Sequence, residues 1–162
     1  MLVDSPNLGT GDITLKGDPR VLPMGKFLRK TKINEIPQVI NLLKGDMTLV
    51  GPRPLTPRNF ALYPERTKEE IVKVMPGLTG VGSIIFRDEE SILARSSKSY
   101  LEAYRDEISV YKGELELWCI RNRSLLVNIK IIMLTAWVIL FKESTLPERV
   151  LKGLPRRSQY TP

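Results

Sequence analysis

An amide and a carboxylate, Asn34 and Glu35, stand at the start of a stretch with helical apolar spacing, and Arg53 follows it. The N-terminus of a helix favours anions, because its first N–H groups are unpaired and its dipole is positive there. A guanidinium offers planar donors that match phosphate oxygens, and here Pro52 and Pro54 restrict the backbone around it. This combination could serve phosphoryl chemistry, although the local spacing alone favours a structural role. The same residues also fit a structural interpretation with an Asn cap, a solvated glutamate and a turn arginine.

The elements that would hold these groups follow from the intervening residues. The apolar residues at helical spacing are Ile33, Ile36, Ile40 and Leu43. They predict a helix with one buried face. Because proline is tolerated only in a first turn, Pro37 puts the start of this helix near residues 34–36. Lys44 and Gly45 are typical of a cationic last turn with a left-handed cap. Residues 47–50 are predicted to form a short buried strand that leads into a rigid turn, residues 51–54, which we name the arginine turn.

A group of cations precedes this helix start: Lys26, Arg29, Lys30 and Lys32. A run of charges usually forms a solvated face. The alternative is a patch that binds phosphate or a lipid headgroup, and its position beside Asn34 and Glu35 favours this alternative. Lys30 is therefore a candidate substrate-binding residue.

The composition limits the classes of function. The chain has 162 residues and a net charge of +7, which suits one domain and an anionic partner. It has no His, so it offers no imidazole base and no His-ligated metal. Its single cysteine, Cys119, excludes an internal disulfide and a Cys-cluster zinc site, and it is predicted to lie in the core. We find no Walker loop, no dinucleotide fingerprint and no nucleophile elbow.

The rest of the chain is predicted to be mainly helical, with helices in residues 64–75, 97–112 and 114–123. Small residues around Gly80 and Gly82 permit either close approach to a ligand or tight packing. We therefore predict an α+β fold, mostly helical with a few short strands, in a single compact domain. That domain spans residues 1–142 and ends in an amphipathic or interfacial helix. Residues 143–162 are predicted to be a flexible basic tail.

The predicted C-terminal helix, residues 125–141, is strongly apolar but short. Its roughly 17 residues give about 25 Å, less than a bilayer core of about 30 Å, and Asn128 and Lys130 interrupt it. A free spanning helix is therefore not expected. Two alternatives stay open: a buried core helix, or a helix in the membrane interface with Trp137 at headgroup level. The basic flanks favour anionic lipid; they are Arg121, Arg123 and Lys142.

Several short motifs in order resemble the bacterial sugar transferases, the monotopic phosphoglycosyl transferases. The motifs are Gly25-Lys26-Phe27-Leu28-Arg29-Lys30, Asn34-Glu35, Pro37-Gln38, Lys44-Gly45-Asp46-Met47, Gly51-Pro52-Arg53-Pro54 and Pro76-Gly77-Leu78-Thr79-Gly80. The resemblance runs from about residue 18 to residue 141. Two departures stand out, because the family has a nucleophilic Asp at Asn34 and often an Asp at Asn128. Family members also begin with a membrane-inserted hairpin, so we expect this chain to be truncated relative to them or to begin at an internal Met.

The resemblance implies transfer of a sugar-1-phosphate from a nucleotide sugar, such as a UDP-sugar, to a polyprenyl phosphate, the step that initiates exopolysaccharide, capsule or O-antigen synthesis. It implies a cytoplasmic-face, monotopic position on the bacterial inner membrane, with the membrane surface as a partner. Asn34 and Glu35 would be the catalytic pair, with Glu35 a ligand of Mg²⁺. The substrate-binding candidates are Lys30, Pro52, Arg53, Pro54 and Arg87. The residues expected to support the site are Asp46 and Asn128.

The amide at Asn34 cannot repeat the role of an aspartate nucleophile, since it is uncharged and attacks phosphorus very poorly. Three outcomes stay open: an inactive relative that acts as a membrane-associated scaffold, attack by Glu35 instead, or direct transfer between bound substrates. We expect the substrate-binding residues Glu35, Arg53 and Arg87 to persist in one pocket, with some activity retained. A nucleic-acid partner is not expected, because the basic residues are scattered and no recognised motif appears. The sequence leaves homo-oligomerisation open.

Overall fold

A computed structural model describes residues 21–30, 36–87, 89, 93 and 100–157. In this part the chain is mostly helical with two short strands, which confirms the predicted α+β class. In chain order the elements are α1 (Pro23–Lys30), α2 (Ile36–Lys44), β1 (Thr48–Val50), α3 (Pro57–Ala61), α4 (Glu65–Ile71), β2 (Gly77–Thr79), α5 (Val81–Ile85), α6 (Tyr100–Ala103), a π-helical segment (Tyr104–Ser109), α7 (Val110–Arg121), α8 (Leu125–Leu140) and α9 (Leu146–Val150).

The two strands form a small parallel sheet. Thr48 pairs with Gly77 and Val50 pairs with Thr79. Helix α8 packs on both strands, and the hydroxyls of Thr79 and Thr135 are 2.7 Å apart. The strand predicted at residues 47–50 is confirmed as Thr48–Val50, but it is not buried throughout as predicted, since Leu49 is 50% exposed.

Helix α7 lies at the centre of the core. It contacts α4, α5 and the π-helical segment, and its Leu115 is fully buried. Cys119 on the same helix is buried, as predicted, and burial raises the pKa of its thiol to about 11. A thiol of this kind stays protonated near neutral pH and acts as a small apolar group.

A glycine seam, Gly51, Gly77 and Gly80, joins the arginine turn to β2. A Cβ atom on Gly77 would lie 2.1 Å from the Gly51 nitrogen, and one on Gly80 would lie 2.4 Å from the Gly51 oxygen. No side chain fits between backbones at these separations. Of the two alternatives that the sequence offered for this region, tight packing therefore accounts for Gly80.

Helix α2 ends as predicted, with Gly45 at a φ of 82°. Its apolar face is different from the prediction, because Ile36, Ile40 and Leu43 are 55%, 51% and 83% exposed. The main contact of α2 in the described part of the chain is with β2. The helix therefore lies at the edge of the sheet, and its apolar residues do not reach the core formed around α7. Ile33 lies outside the described residues.

The region after residue 143 also differs from the predicted flexible tail. Residues 146–150 form α9, and Pro147 and Leu151 are buried. The Tyr111 hydroxyl donates a hydrogen bond to the Pro155 carbonyl at 3.1 Å. The C-terminal segment, residues 142–157, is thus packed, because α9 contacts α5 and α8 and the Pro155 carbonyl bonds to α7. Residues 158–162 lie outside the described residues.

Helix α8 is a core helix along one face only, and its position in a membrane interface stays a prediction. Ile131, Leu134 and Val138 are buried against the core. The large apolar side chains that remain exposed on or just after this helix are Leu125, Leu126, Ile129, Ile132, Met133, Trp137, Ile139, Leu140 and Phe141. Within the described ranges, no helix has both the length and the apolar character needed to cross a bilayer.

The glycine seam gives a first prediction. Gly77→Ala should lower the free energy of unfolding by about 3 kcal/mol or more, because the added methyl meets backbone atoms that no rotamer change can move. Chemical denaturation followed by circular dichroism measures this change.

The matched control is Gly25→Ala in α1, where the nearest atom to the added carbon is a Val21 methyl at 3.2 Å. Alanine favours a helix over glycine by about 1 kcal/mol, so this variant should be as stable as the parent or slightly more so. Equal stability of both variants would contradict the close backbone approach.

Candidate functional site

The arginine turn is fixed to β2 on its N-terminal side. The Gly51 amide donates to the Thr79 carbonyl at 2.9 Å, and the Gly77 amide donates to the Pro52 carbonyl at 2.8 Å. Pro52 is buried, whereas Arg53 and Pro54 are exposed. The turn therefore carries the Arg53 side chain at the surface on a backbone that two proline rings and two hydrogen bonds restrain.

Arg53 lines a cavity of about 210 Å³ between the arginine turn and the end of α4. The other residues that line it are Pro52, Pro54, Leu55, Phe60, Ile71, Val72, Val74 and Pro76. These are all apolar, so Arg53 supplies the charge of the cavity wall. One cation beside an apolar wall suits a ligand that has both an anionic and an apolar part.

Arg87 follows α5 and binds backbone carbonyls rather than lining this cavity. Its Nη1 donates to the Ile84 carbonyl at 3.0 Å and its Nη2 to the Ser144 carbonyl at 2.9 Å, while Nε donates to the Lys142 carbonyl. In this conformation the guanidinium fastens the C-terminal segment to the end of α5. The diphosphate-binding role of Arg87 stays a prediction, and it requires some of these bonds to be exchanged for phosphate.

Three of the predicted residues near the helix start cannot be placed in the site. Asn34 and Glu35 lie outside the described residues, and of Lys30 only the backbone, at the end of α1, is described. Helix α2 begins at Ile36, and the predicted catalytic pair directly precedes this residue in the sequence. The predicted convergence of Glu35 with Arg53 and Arg87 stays a prediction.

The two predicted supporting residues lie in different settings. Asp46 is exposed in the loop between α2 and β1, and its amide donates to the Asn41 carbonyl at 2.9 Å. Asn128 is partly buried in the first turn of α8. Helical spacing puts Asn128 on the same face of α8 as Ile131 and Thr135. This face turns towards the sheet, since Ile131 is buried and Thr135 contacts Thr79.

The predicted magnesium site has Glu35 as its proposed protein ligand. Within the described ranges there is no cluster of three or more His, Cys, Asp or Glu residues that could hold a metal ion. A carboxylate together with phosphate oxygens is the donor set that Mg²⁺ prefers, so Glu35 fits this ion by its chemistry. The magnesium ligand stays a proposal.

The sequence did not indicate a group of buried polar residues below the site. Lys112 and Glu116 on α7 are 6% and 3% exposed, and Lys112 forms an ion pair with Glu89. Opposite charges four residues apart on a helix usually indicate an exposed pair, so the spacing pointed to the surface. The one available signal was Gly113 between them, which allows close packing against Thr67.

Comparisons with known proteins agree with the motifs. A family model described as bacterial sugar transferase matches residues 1–142. The chain is 33% identical over 132 residues to an undecaprenyl-phosphate galactose phosphotransferase of Salmonella typhimurium, covering 82% of this chain and 24% of that protein. It is 36% identical over 140 residues to an undecaprenyl-phosphate glucose phosphotransferase of Komagataeibacter xylinus, with 83% and 24% covered. It is 38% identical over 126 residues to galactosyl transferase CpsE of Streptococcus agalactiae, with 78% and 24% covered. The chain thus spans about a quarter of the length of these relatives.

The contacts of Arg87 give a second prediction. Arg87→Gln should lower the free energy of unfolding by about 2 kcal/mol or more, because a charged donor to several carbonyls is lost. Relative to the parent, amide hydrogen exchange should become faster in the C-terminal segment and should change less in α7.

The control is Arg105→Gln, since Arg105 is exposed and pairs with its neighbour Asp106. This change should stay within about 0.5 kcal/mol of the parent. Unchanged exchange in the C-terminal segment of Arg87→Gln would show that the guanidinium does not hold it.

Proposed function

Because the chain belongs to the bacterial sugar transferase family, we propose that it transfers a sugar-1-phosphate from a nucleotide diphosphate sugar to a polyprenyl phosphate and so initiates a bacterial polysaccharide. The observation that carries this proposal is the match of the family model over residues 1–142. The names of relatives support it, since they include a UDP-glucose:undecaprenyl-phosphate glucose-1-phosphate transferase of Escherichia coli and an exopolysaccharide production protein of Sinorhizobium fredii.

The main obstacle to this reaction is charge. A nucleotide diphosphate sugar and a polyprenyl phosphate are both anions and must approach within bonding distance. Arg53 on its restrained turn offsets part of that repulsion, and the α2 N-terminus beside Asn34 and Glu35 adds a positive dipole end. Mg²⁺ bound at Glu35 would supply further neutralisation of the diphosphate.

Two routes to product are compatible with an amide at Asn34. In the first, an oxygen of the acceptor phosphate forms a bond to the sugar-bearing phosphorus, and the nucleoside monophosphate leaves with the electron pair of the broken P–O bond. In the second, a Glu35 oxygen makes that attack, and the acceptor phosphate then displaces the phosphosugar from Glu35. Both routes give the same products, and they differ in whether the protein carries a covalent adduct.

A membrane surface is the proposed setting, at the cytoplasmic face of the inner membrane. Helix α8 buries one face in the core and exposes apolar side chains elsewhere along its length. The exposed cations in and beside α8 are Arg121, Arg123, Lys130 and Lys142. An apolar face bordered by cations binds anionic lipid surfaces, where a polyprenyl phosphate also resides.

A second candidate function, a membrane-associated scaffold without catalysis, rests on one observation. Asn34 stands where the family has its nucleophilic Asp, so the family's covalent route is closed to this residue. The scaffold would keep the fold and the surface of α8 and lose only the chemistry.

A transfer assay tests the proposed function and gives a third prediction. The protein is incubated in mixed micelles with radiolabelled UDP-glucose, Mg²⁺ and undecaprenyl phosphate, and label that passes into the organic phase is counted. We expect transfer by the parent chain and a loss of about a hundredfold in rate for Arg53→Ala, because a donor to the diphosphate is removed. Arg58→Ala, an exposed arginine on α3, is the control and should stay within about twofold.

Asn34→Asp separates the two candidate functions in the same assay. Mass spectrometry of the intact protein shows whether a phosphosugar adduct forms and on which residue. Parent inactivity together with activity in Asn34→Asp would overturn the proposal for this chain and support the scaffold.

The surface of α8 gives a fourth prediction. Met133→Asp should weaken binding to vesicles that contain phosphatidylglycerol by about tenfold, because an apolar side chain that enters the lipid interface is replaced by an anion. Flotation of the protein with the vesicles measures the bound fraction.

Leu43→Asp is the control, since Leu43 near the end of α2 is 83% exposed and Met133 is 67% exposed. This control should bind the vesicles like the parent. Equal loss in both variants would mean that the face of α8 makes no specific contact with lipid.

A further inference from the structure

The carboxyl group of Glu116 packs directly on the segment that follows β2. A Cβ atom on Gly82 would lie 2.3 Å from Glu116 Oε1, and one on Gly80 would lie 3.7 Å from Oε2. The side chain is 3% exposed, and Oε2 has no hydrogen-bond partner among the described residues. A buried carboxyl oxygen without a donor is an uncommon and costly arrangement, so it calls for a physical account.

The segment above this carboxyl supports the arginine turn. Gly80 meets the Gly51 carbonyl at the glycine seam, and Gly51 is the first residue of that turn. On the other side, the Gly82 carbonyl accepts a hydrogen bond from the Phe86 amide at 2.9 Å, one residue before Arg87. A shift of residues 80–82 would therefore move the support of both predicted substrate-binding arginines.

We propose that Glu116 is a positioning residue that is protonated in this structure. Its ionisation displaces residues 80–82 and, through the glycine seam, shifts the arginine turn. The neutral acid tolerates an environment without donors far better than the carboxylate does. The ionised form must gain water or a donor, and the backbone of residues 80–82 is the structure that lies on it. Glu116 acts through this backbone and does not itself contact a substrate.

The charged and titratable groups around Glu116 agree with a neutral acid. Burial raises its pKa to about 7, and Lys112 on the same helix lowers it by less. Lys112 forms its own ion pair with Glu89, which limits what it offers to Glu116. The pKa values of Tyr63, before α4, and Cys119, on α7, are raised mainly by burial, so both are neutral near pH 7. No titratable residue occurs within α5 itself.

The sign of the pH dependence follows from this raised pKa. Between the ordinary value of 4.5 and about 7, the folded protein holds a proton at Glu116 that the unfolded chain has lost. The contribution of this group to stability is therefore complete below pH 4.5 and is lost as the pH rises towards 7.

Amide resonances of glycines offer a direct test, since glycine signals are resolved from most others in a proton–nitrogen correlation spectrum. The parent protein in micelles is titrated from about pH 5.5 to about pH 8.5, a range that brackets the raised pKa. We expect Gly80, Gly82 and Gly51 to shift together with one midpoint near 7. Absence of a common midpoint in the parent protein would overturn the proposal, and this outcome needs no variant.

Two variants assign the titration. Glu116→Gln keeps the shape of the neutral acid and should abolish the common midpoint, while Glu114→Gln, two residues earlier on α7, should keep it. A midpoint that persists in Glu116→Gln would also overturn the proposal. Glu116→Asp retains an acid on a shorter side chain, so the glycine signals of this variant should titrate together with a shifted midpoint. If they show no common titration in Glu116→Asp, the assignment to residue 116 is wrong.

A ligand readout deepens the proposed function and rests on it. UDP-glucose has no phosphate group that titrates near pH 7, so it is a suitable probe. Its affinity for the parent should change about fivefold or more across the titration, and that for Glu116→Gln should stay flat. Failure of the proposed function would appear as no UDP-glucose binding at any pH with the glycine titration intact, whereas binding without pH dependence would overturn the positioning role.

Discussion

The close approach of two backbones at Gly51 and Gly77 is the constraint on which the described structure depends. The paired strands have three residues each, so their hydrogen bonds alone contribute little to the stability of the sheet. Contact between backbones, with no side chain between them, adds the packing that such a short sheet lacks. The arginine turn begins at Gly51, and α5 begins four residues after Gly77. The candidate site therefore owes its geometry to glycines that carry no functional group.

The charged groups near the glycine seam differ in how deeply they are buried. Arg53 lies at the surface beside a cavity whose other lining residues are apolar. Beneath it, Lys112 and Glu116 are buried on α7, the helix at the centre of the core. Buried ionisable groups cost stability, so their presence below a site is more often linked to function than to folding. Arg87 joins the end of α5 to the C-terminal segment through backbone carbonyls.

The sequence predicted what depends on neighbouring residues. The left-handed cap at Gly45, the strand at residues 47–50 and the rigid turn at Arg53 follow from local backbone preferences, and the structure has all of them. The exposed face of α2 and the packed residues 143–157 depend on contacts between distant parts of the chain, which apolar spacing does not encode. The buried position of Glu116 was hidden for the same reason, since its spacing from Lys112 is typical of a surface pair. For Asn34 and Glu35 the family resemblance remains the whole basis.

The contact between Arg87 and the C-terminal segment has a consequence for how the protein is made. Lys142 follows Arg87 by 55 positions, so this contact forms only after residues 88–142 have been synthesised. Until then the end of α8, which is synthesised just before Lys142, lacks the Arg87 hydrogen bonds to the residues that follow it. The exposed apolar side chains of α8 are therefore synthesised before the contact that fastens the C-terminal segment can form.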